Sequence, residues 1–123
     1  MVRRQVTFTF AAGASVSDIQ WLGAWALSNL VFPAGFSGDA VGIQAAAVAE
    51  SATATADSTW EDCTDAAGNL LTIAYASGKR PCLLPAGIIG LGWVRLKSYT
   101  SGSAQTQSAE RVVRGFYVTD HAS

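Results

Sequence analysis

The chain has 123 residues, enough for one domain and too few for two of ordinary size. Half of its residues are hydrophobic and 14% are charged, which excludes a disordered chain, a collagen-like chain and a coiled coil. Eight bases against nine acids give a net charge of −1, so the chain as a whole offers no general attraction to nucleic acid or to an anionic membrane.

Alternation begins at once. Val6, Phe8 and Phe10 point one way and Gln5, Thr7 and Thr9 the other, as in a half-buried strand. The two arginines before it, Arg3 and Arg4, are not followed by the unbroken apolar run of a secretory signal, so a product that is cytosolic when made is expected. Ala11 to Ser17 is small and polar, a turn leading into a helix cap or a second strand edge. From Ile19 to Phe32, Trp21 and Trp25 have helical spacing, but Gly23 and the following Pro-Ala-Gly argue for two strands with a kink. Pro33 to Gly38 is a loop.

Val41, Ile43 and Ala45 alternate with Gly42 and Gln44 in a further strand. It runs out in the Ala/Thr/Ser stretch 46–57, read as an exposed loop, with alanine propensity keeping a helix open. Trp60 to Cys63 and the Leu71, Ile73, Tyr75 alternation read as two strands of a hairpin, closed by Asp65-Ala-Ala-Gly-Asn69. Cys82 to Leu84 is a short strand between Pro/Gly turns. In the next strand Trp93, Arg95 and Lys97 alternate against Val94, Leu96 and Ser98, which puts basic side chains on one face. A second low-complexity loop, Thr100 to Ser108, precedes a last strand from Arg111 to Thr119.

About eight short antiparallel strands separated by Gly, Pro and Ser turns predict an all-β fold, a β-sandwich or jelly-roll-like domain spanning residues 1–123. Residues 1–5 are expected as an N-terminal arm and 120–123 as a frayed tail. No span of about 18 apolar residues predicts a membrane helix.

Little in the chain carries chemistry. The single histidine, His121, lies three residues from the end, where nothing holds a catalytic base, so no Ser-His-Asp or Cys-His site is expected. Cys63 and Cys82 have no metal-ligand spacing; two thiols and a cross-strand disulfide both stay open. The acids Glu61, Asp62 and Asp65 invite comparison with paired catalytic carboxylates or a calcium site, but they straddle a turn, where acids are common. Trp21, Trp25, Trp60 and Trp93 suit a sugar-stacking platform, a core or a subunit interface. No catalytic residue, cofactor or metal is therefore assigned, and no enzyme is expected.

Charge is unevenly spread. Asp18, Asp39, Glu50, Asp57, Glu61, Asp62 and Asp65 fall in a stretch without a base, while Lys79, Arg80, Arg95, Lys97, Arg111 and Arg114 share theirs with Glu110 alone. The two segments either face apart, making a module that docks head to tail, or interleave and cancel.

The order of these pieces resembles a group of small tailed-bacteriophage virion proteins. The resemblance rests on Leu22-Gly23, Leu30-Val31-Phe32-Pro33-Ala34-Gly35-Phe36, Val41-Gly42-Ile43-Gln44, Ser58-Thr59-Trp60, Asp65-Ala66-Ala67-Gly68-Asn69 and Leu71-Thr72-Ile73. Leu83-Leu84-Pro85-Ala86-Gly87 and Gly92-Trp93-Val94-Arg95-Leu96-Lys97-Ser98 extend it, so that it covers about residues 20 to 100. It implies a non-enzymatic capsid decoration or cement protein on the virion surface, bound to the major capsid protein and to copies of itself, with a homotrimer expected. The expected partner contacts are Arg3 and Arg4, the loops 46–57 and 100–108, and Trp21 and Trp25. A carbohydrate-binding module of a head or tail fibre, holding host glycans, and a tail or neck structural protein are the alternatives.

Overall fold

The computed structural model describes residues 2–23, 26–46, 48, 52, 54–55, 59–65, 67–74, 81–83 and 92–119, with the backbone alone at 2, 3, 26, 28, 81–83, 118 and 119. The expected all-β sandwich is what these residues form. Ten strands follow one another: β1 (Val2–Phe10), β2 (Gln20–Gly23), β3 (Ala26–Val31), β4 (Ala40–Ala46), β5 (Trp60–Asp62), β6 (Thr72–Ala74), β7 (Pro81–Leu83), β8 (Gly92–Thr100), β9 (Ser103–Ala104) and β10 (Arg111–Thr119). They make two antiparallel sheets, one of four strands in the order β1-β10-β3-β7, the other of six built on β2-β8-β4-β5, with β6 also on β4 and β9 on β8. No helix of the described residues is long and apolar enough to cross a membrane.

Strand periodicity places the core. Phe8 and Phe10 of β1, Leu30 of β3 and Val113 of β10 are fully buried from the first sheet, and Val41, Val94 and Leu96 meet them from the second, with Ile43 and Leu22 beside them. Burying side chains of this size contributes roughly 1.5–3 kcal/mol each. The kink expected between Ile19 and Phe32 is a change of sheet. β2 pairs with β8 and β3 with β10 and β7, and the turn away begins at Gly23, whose φ of +58° suits a residue without a Cβ.

Several expectations change. Residues 2–5, read as an arm, are the first half of β1 and pair in register with β10, Val2 against Thr119 and Gln5 against Phe116. The tail 120–123 lies outside the described residues. The strands on either side of the 65–69 turn do not form a hairpin with each other. Beyond one bridge, Thr64 to Leu70, both pair with β4 instead: Gln44 faces Asp62 and Gly42 faces Thr72. The partner numbers sum to 106 on β5 and 114 on β6, so eight residues are looped out of what would otherwise be one edge strand along β4. The loop closes on itself through Leu71 N–H to Cys63 C=O at 2.9 Å.

The two low-complexity loops also differ from their reading. Ala46 belongs to β4, lying between Trp60 and Trp93, and Ala54 is buried. In the loop 100–108, Ser103 and Ala104 return on β8 as β9, and Gln107 is buried at the junction of three segments. Its side-chain carbonyl accepts from Ser37 N–H at 2.8 Å, and its amide donates to Ser37 C=O at 2.8 Å and to Ser98 Oγ at 3.2 Å. Its backbone is bonded to Gly13 and Ala14. A glutamine among Ser, Ala and Thr reads as solvated in sequence; here its amide satisfies a backbone N–H and C=O that the interior would otherwise leave bare.

Candidate functional site

The outer face of the six-stranded sheet gathers the residues that the sequence singled out most often. Because Val94, Leu96 and Ser98 point inward from β8, Trp93, Arg95, Lys97 and Tyr99 point outward. Pairing then sets them in transverse rows. Trp60, Ala46, Trp93 and Trp21 lie abreast across β5, β4, β8 and β2, and Asp62, Gln44 and Arg95 form the next row. Three of the four tryptophans therefore share one outer face, and none is among the fully buried residues.

Trp21 and Trp93 are half-buried, with ring centroids 4.9 Å apart and planes at 57°. The Trp21 indole lies against the paired Gly23 and Gly92: a Cβ on Gly23 would come 3.2 Å from its Nε1, and one on Gly92 3.3 Å from its Cζ3. Two glycines thus leave room for the ring against the sheet. The Trp93 indole N–H is buried and has no acceptor among the described residues.

The second row is a closed polar network. Gln44 donates to the Asp62 carboxylate at 2.8 Å and accepts from Arg95 Nε at 2.8 Å. The Arg95 guanidinium lies over the Trp60 ring, 4.5 Å from its centroid, and the Trp60 indole donates to Thr55 C=O at 3.0 Å. Tyr99 crosses Gly42, where a Cβ would come 2.9 Å from the ring, and its hydroxyl bonds Asp62; Lys97 sits 5.4 Å from the Tyr99 ring centroid. Burial, then the Asp62 charge and its hydrogen bond, push the Tyr99 phenol above its usual range. Burial lowers Arg95, with Asp62 opposing. Burial raises the half-buried free thiol of Cys63, and neighbouring Asp62 adds to the shift. A thiol of raised pKa is a poor nucleophile at neutral pH.

Asp62→Asn tests the network. Removing the charge should bring the Tyr99 titration down toward the ordinary phenol value, burial keeping it partly raised, as read by ultraviolet difference titration. The same sign holds for stability: a phenol whose folded pKa is raised stabilises fully below its unfolded value and loses that contribution as pH rises through the folded one. The variant should therefore show a shallower loss of stability at alkaline pH.

The acidic trio does not converge. Glu61 pairs with Ala45 and is exposed, Asp62 is held in the network, and Asp65 caps its turn by accepting from Ala67 N–H at 2.9 Å and Asn69 N–H at 3.0 Å. Among the described residues no three His, Cys, Asp or Glu side chains are placed to hold a metal ion. Among the described residues the charge segments meet at Gln44, shared by Asp62 from the acidic stretch and Arg95 from the basic one. Arg4 is exposed on the edge strand β1; Arg3 lies on the same strand with its side chain outside the described residues, and Trp25 lies outside them altogether. Gln44 and Tyr99 were not candidates from sequence, since nothing local to either residue names its partner across the sheet. No family model, curated protein or solved structure matches this chain.

Proposed function

We propose that the chain is a non-enzymatic structural protein of a tailed-phage virion, bound in many copies to the surface of the icosahedral head as a decoration or cement protein. Its partners in this reading are the major capsid protein and copies of itself, assembled as a homotrimer. The observation that carries it is the row of tryptophans on an outer sheet face. Trp21 and Trp93 keep part of their large apolar surface in water, and covering that surface with a neighbour is favourable by the same hydrophobic term that builds a core. Docking there also removes few bare ions from water, because Asp62 and Arg95 already satisfy each other through Gln44. The segments that resemble virion proteins lie largely on the six-stranded sheet, on β2, β4, β5, β6 and β8, with one on β3 of the other sheet.

Expanded heads lacking the chain should capture the purified protein on sedimentation, and Trp93→Ala should weaken capture roughly tenfold or more, the loss expected for a buried interface tryptophan. Protein that stays in the supernatant overturns the reading. Copy number per particle separates the shell from a tail or neck position, with shell decoration at the high end. The juxtaposed Trp21 and Trp93 rings favour one further reading, a carbohydrate-binding module for host glycans; quenching of tryptophan emission by host polysaccharide would move the assignment there.

A further inference from the structure

On the opposite sheet, Arg111 opens β10 in a setting that the described residues do not complete. Its guanidinium lies over Gly35, close enough that a Cβ there would come 3.1 Å from Nη2 and 3.3 Å from Cζ. Its Nε is buried and meets no hydrogen-bond partner among the described residues. Burying a guanidinium N–H without an acceptor is costly, and native proteins rarely leave such a donor unmet. The residue also borders a cleft of about 290 Å³ together with Arg114 and Glu110, whose remaining walls are Val31, Phe32, Pro33 and Val112.

We propose that this cleft binds a carboxylate carried on a short apolar stem. The charge lining it is two arginines less one glutamate, a net +1, which matches a single negative charge and disfavours a phosphate dianion. The guanidinium offers the planar donor fork that suits a carboxylate. The valine and proline walls supply an apolar contact that a bare inorganic anion leaves unused. The volume, at the small end of ligand pockets, fits one residue-sized group, such as an aromatic or aliphatic residue bearing a free chain terminus. This inference stands apart from the capsid reading, because it lies on the other sheet and uses none of the tryptophans.

The probe is 3-phenylpropionate, followed by amide chemical shifts in the full chain, with 3-phenylpropionamide and inorganic phosphate as comparisons. The carboxylate should saturate with shifts confined to residues 31–33 and 110–114, and the amide and phosphate should each bind roughly tenfold more weakly or worse. Arg111→Gln should abolish saturation. Arg114→Gln, at an exposed position where folding is not at stake, should weaken it several-fold. A peptide ending in a free C-terminal phenylalanine separates the two sources of such a group: binding tighter than 3-phenylpropionate, lost on amidation, assigns the cleft to a neighbouring polypeptide, and equal binding assigns it to a small carboxylate. Equal affinity for the neutral amide, equal or tighter binding of phosphate, or no saturable shift overturns the proposal. Weakened 3-phenylpropionate binding in Arg114→Gln with head capture intact would keep the two functional readings apart.

Discussion

Phe36→Ala should lower the free energy of unfolding by roughly 3–5 kcal/mol, the range for deleting a buried aromatic ring. Phe36 is 4% exposed and stands between two other rings, edge-on to Phe10 at 5.2 Å and tilted against Phe32 at 5.2 Å. It comes from a loop rather than a strand, so its ring is the plug through which residues 33–38 seal that end of the sandwich. Losing it forfeits the transfer energy and both ring contacts, and the surrounding strands can collapse only partly into the space. A domain of this size has only about 5–15 kcal/mol in total, so the variant should be close to unfolding at moderate temperature. Urea unfolding followed by tryptophan fluorescence reads the difference. Phe36→Leu, which keeps most of the volume, should recover the larger part. A cost below about 1 kcal/mol for the alanine variant would mean that the loop does not pack as described.

Gly38→Ala should cost roughly 3–4 kcal/mol, for reasons that have nothing to do with hydrophobic burial. Gly38 has a φ of +114°, which an L side chain rarely adopts, and an added Cβ would sit 2.7 Å from the Tyr99 carbonyl oxygen. That oxygen accepts the Asp39 N–H at 2.8 Å and belongs to the central strand β8, so it cannot retreat cheaply. The substitution must therefore strain the turn, break that hydrogen bond, or both. Gly68→Ala is the matched control, with a φ of +84° and nothing within 4 Å of the new methyl group. It should cost only about 1–2 kcal/mol, the penalty of the left-handed conformation alone. Two variants equal in stability would show that the close approach to Tyr99 is relieved without cost.

Both positions bear on function through what they hold in place. Ser37, between them, exchanges two hydrogen bonds with the Gln107 side chain, and Gly35 lies under the Arg111 guanidinium. The loop 33–38 thus closes the core and shapes the cleft with the same few residues. On the other sheet, Tyr99 ties the Asp62 network to β8, beside the tryptophan row. A destabilised Gly38 variant should accordingly disturb the Tyr99 environment before it loses the fold.

The alternation of Val6, Phe8 and Phe10, and of Val94 and Leu96 against Arg95 and Lys97, determined by itself which residues face the core, because a strand has a period of two wherever it is placed. Gly23 and the Pro33 to Gly38 stretch likewise announced their turns, since backbone preference is a local property. What residues 60–74 pair with was not local. Two short strands around an Asp-Gly turn read as a hairpin, and only β4, some twenty residues away, offered the longer run of hydrogen-bonding partners that draws both onto one edge. For the same reason the tertiary structure alone decided that Trp21, Trp60 and Trp93 share an outer face, that Gln44 joins Asp62 to Arg95, and that Gln107 is buried rather than solvated. The low charge legible in the composition acquired its place in the same way: each sheet face set the surroundings of its few ions, and those depend on strand order, which no stretch of sequence carries alone.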